Sequence, residues 1–147
     1  MRILVEKAAR RLTLMDGAGD TLLSCRIALG SSPIGPKNRE GDGKTPEGGY
    51  FICLKKLGKY GPSLGLSYPN AWDALRNGAD EALLRLIRQR EESKERPPWG
   101  SPLGGEIYVH GGGADRDWTA GCIALSDADA KRLYDLTPLG TPVTILP

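Results

Sequence analysis

Short runs in which apolar and polar residues alternate dominate this chain, a pattern that predicts β-strands with one buried face. The clearest run is residues 21–29, where apolar side chains occupy every second position from Leu23 to Leu29. Clusters of glycine and aspartate, such as residues 16–20, separate the runs and indicate turns. The predicted strands are residues 3–5, 11–15, 21–29, 50–56, 107–109 and 142–146.

Helical periodicity occurs in two segments. In residues 79–93, apolar residues recur at helical spacing on one face while the opposite face is charged. A second helix is predicted to follow Ser126, a good N-cap residue, and to end near Asp135.

The first of these helices lies within residues 73–99, which interrupt the β structure, so we interpret that segment as an insertion. It either covers one end of the sheet or forms a lid that borders the reactive site. Together the patterns predict a mainly β fold with two helices, in one domain spanning residues 1–147.

Composition excludes several classes of function. The formal net charge is +2 and only 6% of residues are aromatic, which argues against a nucleic-acid partner. One histidine and three scattered cysteines give neither a common zinc site nor a disulfide framework, and no cofactor is predicted. No apolar run approaches the roughly 18 residues of a membrane span. The first residues become charged too early for a signal peptide.

Two motif matches are rejected on spacing and context. Residues 43–45 read Gly-Lys-Thr, like the end of a phosphate-binding loop, but the glycine required five residues earlier is Asn38. Residues 61–65 match Gly-x-Ser-x-Gly, which would make Ser63 a hydrolase nucleophile at the start of a helix. Because Pro69 follows so closely, that helix is not expected.

One histidine and one cysteine carry the candidate chemistry. His110 follows a predicted strand and precedes three glycines that permit a sharp turn. Cys122 follows the small residues 119–121. A free thiol has a pKa of about 8.5, and a neighbouring imidazole activates it by taking its proton. The other thiols, Cys25 and Cys53, lie in apolar strand patterns, so we expect Cys122 alone to be reactive.

Four ordered blocks of the chain resemble the L,D-transpeptidase catalytic domain, or YkuD, family. Residues 107–111 are similar to its Ile-x-Ile-His-Gly pattern, and residues 119–124 to Ser/Thr-x-Gly-Cys-apolar-Arg. The second pattern departs at Ala124, where the family often has arginine, and at Ala120, where it often has histidine or lysine. The other similar segments are residues 41–48 (Gly-Asp-x-x-Thr-Pro-Glu-Gly), 68–70 and 102–105.

The resemblance implies a sandwich-like mixed β-sheet of the L,D-transpeptidase type. It also implies a cysteine acyltransferase that cross-links or modifies peptidoglycan stem peptides through a thioester. Such an enzyme would act in the cell wall or periplasm without a cofactor, and no protein partner is inferred.

The family's site residues carry over to specific positions. Cys122 would be the nucleophile and His110 its base, with a carbonyl of Gly111 or Gly112 orienting the imidazole. The backbone N–H groups expected to hold an oxyanion belong to Ala120, Gly121 and Cys122. The side chains expected to contact substrate are Thr119, Trp118 and Tyr68. A hydrogen bond within the turn is the alternative role of Thr119, and core packing is that of Trp118.

Two alternative functions do not involve transfer of an acyl group to a second stem. A hydrolase or amidase would use the same thioester with water as the acceptor, and the sequence does not separate it from a transferase. A non-catalytic cell-wall-binding module would need neither Cys122 nor His110, so the intact pair argues against it.

Overall fold

The computed structural model describes all 147 residues, and its elements confirm the predicted mainly β fold class. The strands are β1 (Arg2–Glu6), β2 (Arg11–Met15), β3 (Thr21–Arg26), β4 (Gly48–Gly58), β5 (Gly61–Leu66), β6 (Tyr108–His110), β7 (Ile123–Ala124) and β8 (Pro142–Leu146). The helices are α1 (Ala71–Arg76), α2 (Glu81–Ser93) and α3 (Asp127–Leu136). No helix combines the length and the apolar character that a membrane crossing requires.

One mixed sheet contains all eight strands, in the order β3-β2-β1-β8-β4-β5-β6-β7. The β1–β8 and β6–β7 pairs are parallel, and the other neighbours are antiparallel. The sheet curls until its outer strands meet, because Ala28, just beyond β3, exchanges backbone hydrogen bonds with Ala124 of β7 at 2.8 and 2.9 Å. The curled sheet carries the main core of 21 buried residues.

Burial alternates along the strands as the sequence predicts. Ile3 and Val5 of β1 are fully buried, and the residues that flank them are partly or fully exposed. Helix α3 adds Leu133 to the same core, and its N-cap Ser126 accepts a hydrogen bond from the Asp129 N–H at 3.1 Å. The side-chain cap satisfies a backbone donor that the first helical turn leaves unpaired.

The structure contains three elements that the sequence analysis did not predict: strand β5, the two-residue strand β7 and helix α1. Strand β5 includes the Gly-x-Ser-x-Gly match, and its Ser63 is buried with the hydroxyl donating to the Gly61 carbonyl at 2.9 Å. This serine therefore does not sit at a strand-to-helix turn. Helix α1 raises the number of helices from two to three, and its N-cap Asn70 forms a capping box with Asp73.

The insertion packs around its own small apolar cluster. Ile87 of α2 meets Ala74 of α1 and Leu103 beyond the insertion. The buried carboxylate of Asp73 accepts a hydrogen bond from the Tyr50 hydroxyl at 2.7 Å, which ties α1 to strand β4. Assignment of residues 1–147 to one domain stays a prediction.

Buried charges hold the long loop between β3 and β4. The Lys7 ammonium donates to the carbonyls of Gly35 and Thr45 at 3.0 and 2.8 Å and to the Glu47 carboxylate at 2.9 Å. Further along, Lys37 and Asp42 form an ion pair at 2.9 Å with side chains only 3% and 6% exposed. Because the loop has little apolar content, these polar contacts take the place of a hydrophobic core.

Asp42 organises the loop through its own backbone neighbours as well. Its carboxylate accepts N–H groups from Asn38, Arg39 and Lys44 at 2.8 to 3.1 Å. Burial alone would raise the pKa of Asp42, but the Lys37 ammonium and these three donors lower it to about 2.

We predict that Asp42 contributes a stability that is lost in acid. Its folded pKa lies below the unfolded value of about 3.9, so the contribution is complete above pH 4 and disappears as the pH falls towards 2. The shift corresponds to roughly 2 kcal/mol. Urea unfolding between pH 2 and pH 5 measures it, with the double variant Asp42→Asn/Lys37→Met as reference because it leaves no buried lysine unpaired. If the free energy of unfolding changed with pH by the same amount in the wild type and in the double variant, the result would contradict the assignment of this stability to Asp42.

Candidate active site

The backbone fixes the orientation of the His110 imidazole. His110 ends strand β6 and is 5% exposed, and its Nδ1 lies 2.6 Å from the carbonyl oxygen of Gly111. Since a carbonyl only accepts, Nδ1 carries the proton and Nε2 of the neutral ring is free to take one. Burial lowers the pKa of His110, an effect that the Gly111 carbonyl opposes. Of the two carbonyls expected to orient the imidazole, that of Gly111 makes the contact.

Two aromatic rings enclose this imidazole. Tyr60 stacks on it, with centroids 4.6 Å apart and planes 13° from parallel. Trp118 meets it edge-on at 5.9 Å, and the indole N–H donates to the Gly113 carbonyl at 3.0 Å. Trp118 thus contacts the imidazole, and its expected contact with substrate stays a prediction. Tyr60 was not predicted. It lies at the turn between β4 and β5, and its stacking depends on a chain reversal that local sequence does not reveal.

Close packing requires two of the three glycines after His110, namely Gly111 and Gly112. A Cβ on Gly112 would lie 2.9 Å from the Trp118 ring, and the Gly112 φ of +107° disfavours any other residue. The Gly112 N–H donates to Asp127 Oδ1 at 2.9 Å, which anchors this loop to the start of α3.

Thr119 closes the turn that presents Cys122. Its hydroxyl donates to the Cys122 carbonyl at 2.7 Å and accepts the Gly121 N–H at 3.1 Å. The expectation that Thr119 contacts substrate therefore gives way to a structural role, because the side chain is buried and both contacts lie within the turn. The Gly121 N–H is therefore already bonded, whereas the N–H groups of Ala120 and Cys122 have no partner in the protein and are free for the expected oxyanion role.

Gly121 packs directly against the loop between β3 and β4. A Cβ at this residue would lie 2.8 Å from the Lys44 carbonyl oxygen and 3.1 Å from the Ile107 side chain, and its φ is +146°. A Cβ on Gly30 would likewise lie 3.2 Å from the Gly121 Cα and 2.1 Å from the Gly43 carbonyl oxygen. The segment of residues 41–48 is thus a floor under the cysteine turn.

The Cys122 thiol is held by backbone groups in this structure. Its Sγ accepts the Tyr108 N–H at 3.4 Å and approaches the Glu106 carbonyl at 3.7 Å, and no hydrogen bond joins it to His110. Burial raises the pKa of Cys122, so the thiol is protonated at neutral pH in this arrangement.

Cys122 and His110 nevertheless open into one cavity of about 180 Å³. Strands β6 and β7 run parallel and pair His110 with Ala124, two residues beyond Cys122, which brings the two side chains to the same edge of the sheet. The cavity is lined by Lys56, Gly58, Lys59, Tyr60, Ser63, Tyr108, His110 and Cys122.

The insertion contacts this cavity only indirectly, through one of the residues that line it. No residue of 73–99 lines it, but the ring of Trp99 packs edge-on against Tyr108 at 5.7 Å. The indole N–H of Trp99 donates to the Tyr68 carbonyl at 3.0 Å. The structure therefore favours the interpretation of the insertion as a packing element over that of a lid.

Tyr68 does not reach the cavity. Its side chain is 0% exposed, and its hydroxyl donates to the Leu103 carbonyl at 2.6 Å. The prediction that Tyr68 contacts substrate is wrong, because the residue is a fully buried core side chain.

A cysteine and a histidine that share one cavity at the edge of a curled, mixed sheet define a domain with a candidate nucleophile–base site. The chain belongs to the L,D-transpeptidase catalytic domain family, YkuD, whose family model matches residues 1–145. This membership confirms the resemblance seen in the sequence.

Individual relatives match this chain over part of its length or at low sequence identity. The putative L,D-transpeptidase YafK of Escherichia coli is 36% identical over 77 residues, which cover 48% of this chain and 31% of the relative. The chain therefore matches about a third of the length of that curated protein.

Solved structures share the fold. The helical cell shape determining protein Pgp2 from Campylobacter jejuni has a TM-score of 0.69 at 22% identity, covering 97% of this chain and 46% of that chain. L,D-transpeptidase 1 of Mycobacterium tuberculosis has a TM-score of 0.57 at 14% identity, covering 99% of this chain and 61% of that chain.

We predict that Cys122 is alkylated first among the three thiols. Burial raises the pKa of all three thiols, to about 12 for Cys25 and to about 11 for Cys53, but only Cys122 lines the cavity with His110. Limiting iodoacetamide followed by peptide mapping measures the order of labelling. Faster labelling of Cys25 or Cys53 would contradict the site assignment.

We predict that Tyr60 keeps the pKa of His110 low. Tyr60→Ala opens the stacked face of the ring to water, which favours the imidazolium, so the pKa rises towards its ordinary value of about 6.5. Tyr60→Phe retains the stacked ring and should leave the pKa near that of the wild type. Because His110 is the only histidine, one imidazole resonance in an NMR pH titration reports it. An unchanged pKa in Tyr60→Ala would assign the shift to other groups.

Proposed function

We propose that this domain is a cysteine acyltransferase that acts on peptidoglycan stem peptides. The observation that carries the proposal is the shared cavity, in which His110 has a free Nε2 and Cys122 supplies the only lining thiol. Membership of the L,D-transpeptidase catalytic domain family supports the class of reaction and substrate.

The reaction begins with a proton transfer within the cavity. The Cys122 S–H turns from the Glu106 carbonyl towards Nε2 of His110, and Nε2 takes the proton. The thiolate attacks the carbonyl carbon of the third stem residue, and the oxyanion that forms is held by the N–H groups of Ala120 and Cys122. One such donor is typically worth about 3 kcal/mol to the transition state.

The tetrahedral intermediate then collapses to a thioester. The bond to the terminal D-amino acid breaks, and the leaving amine takes the proton from His110. An amine of a second stem attacks the thioester carbonyl carbon and loses a proton to His110. The C–S bond then breaks to leave the new amide, and the Cys122 thiolate takes the proton from His110 to restore the thiol. Water in place of that amine would give hydrolysis by the same steps, so the acceptor distinguishes a transferase from a hydrolase.

The substrate also sets the proposed location. Peptidoglycan stems are cross-linked in the cell wall or periplasm, and we place the domain there. The stems are its proposed partners, and no other partner is proposed.

Defined stem peptides test the proposal directly. The protein is incubated with a tetrapeptide donor, with and without an amine-bearing acceptor stem, and the products are identified by mass. A cross-linked product supports transfer, and a free tripeptide formed in the presence of acceptor supports hydrolysis. Unchanged peptides under both conditions would contradict the proposed chemistry.

We predict that His110 and Cys122 act as one unit, so that their losses are not additive. Cys122→Ser and His110→Ala should each lower kcat/KM by about a thousandfold or more, and the double variant by little further, since both residues serve one step. His110→Ala should also shift the pH dependence of Cys122 alkylation upward, because the imidazole no longer takes the thiol proton. Losses that multiply in the double variant would contradict the coupling.

A further inference from the structure

The cavity that holds Cys122 is lined by two cations and by no carboxylate. Lys56 and Lys59 lie on the hairpin formed by β4 and β5, whereas the other lining residues are neutral when His110 is neutral. Burial raises the pKa of the Cys122 thiol; Lys37 opposes that effect and Glu106 adds to it, and neither of these two charged residues lines the cavity.

Each ammonium group lies over the aromatic ring of a residue that contacts one member of the reactive pair. The Lys56 Nζ lies 4.7 Å from the centroid of Tyr108, whose N–H donates to Cys122 Sγ. The Lys59 Nζ lies 5.5 Å from the centroid of Tyr60, which stacks on His110. Cation–π contacts of this kind orient a cation while leaving its donors free.

Neither lysine has an anionic partner. No salt bridge and no hydrogen bond involves the side chain of Lys56 or Lys59, whereas Lys55, next to them on β4, donates to two backbone carbonyls near α3. Strand β7 contains no cationic side chain, and Lys37 is paired with Asp42. The hairpin therefore supplies the cations that line the cavity.

We propose that Lys56 and Lys59 bind a carboxylate of the acyl donor next to the attacked carbonyl. The inference rests on the proposed function only in naming that donor. The terminal residue of a stem peptide carries its carboxylate about 3.8 Å, one Cα–Cα step, beyond the residue that is attacked. The attacking amine of the acceptor is positively charged or neutral, so these lysines give it no electrostatic attraction.

Two alkylating reagents of equal size test the charge preference without any peptide. Iodoacetate and iodoacetamide both form an S–C bond to the thiolate and release iodide, but only iodoacetate is an anion. The alkylation rate of Cys122 with iodoacetate, divided by its rate with iodoacetamide, should fall roughly five- to tenfold in Lys56→Met/Lys59→Met. This is the expected effect of removing two positive charges a few ångströms away near a protein surface. The ratio cancels any change in thiol ionisation, which affects both reagents equally.

A matched control removes a lysine elsewhere. Lys131 lies on α3, forms an ion pair with Asp135 and does not line the cavity, so Lys131→Met should retain the wild-type ratio. Added salt should lower the wild-type ratio towards that of the double variant, because mobile ions screen exposed charges.

Stem peptides provide a second test of the anion site. The wild type should turn over a tetrapeptide acid with a lower KM than the corresponding terminal amide, and the double variant should lose that preference. A reagent ratio that depends on the two lysines, without turnover of any stem, would support the anion site and overturn the proposed function. Turnover of stems with an unchanged reagent ratio and an unchanged acid preference in the double variant would overturn the anion site and leave the proposed function standing.

Discussion

The contact on which the site depends is the backbone-to-backbone packing beneath the cysteine turn. Gly121 lies so close to the Lys44 carbonyl that a Cβ would meet it at 2.8 Å, and Gly30 is similarly confined by the Gly43 carbonyl. Such contacts leave no room for side chains, so glycine is imposed by packing as well as by φ. The loop that makes this floor has little apolar content and is held by the buried lysines Lys7 and Lys37. Buried charge outside the cavity thus helps to determine where the thiol lies.

The two candidate catalytic groups are both neutral in this arrangement. Burial lowers the pKa of His110 and raises that of Cys122, each disfavouring the charged form. A thiolate–imidazolium pair would be costly to maintain in a buried site without further hydrogen bonds. Formation of the ion pair is therefore best coupled to substrate, which supplies the electrophile that the thiolate attacks. The Gly111 carbonyl prepares the ring for that step by fixing the proton on Nδ1.

Much of this arrangement follows from the sequence, and the remainder has identifiable causes. Alternation located β1, β2 and β8, and the single histidine beside a glycine turn identified His110. Strand β5 was missed because its glycines and proline hide the alternation, and α1 because six residues are too few to show a helical period. The roles of Tyr60 and Lys37 depend on contacts between distant segments, which no local pattern encodes. Thr119 and Tyr68 were assigned to substrate because their motifs adjoin the site, yet burial makes both of them structural.

The central claim is that Cys122 carries an acyl group during the reaction. Rapid acid quenching of the protein with a tetrapeptide donor, followed by intact mass and peptide mapping, measures it directly. The account predicts an adduct on Cys122 with the mass of the stem acyl group after loss of its terminal residue, absent from Cys122→Ser. An adduct on another residue, or turnover of the donor in Cys122→Ser at the wild-type rate, would contradict it.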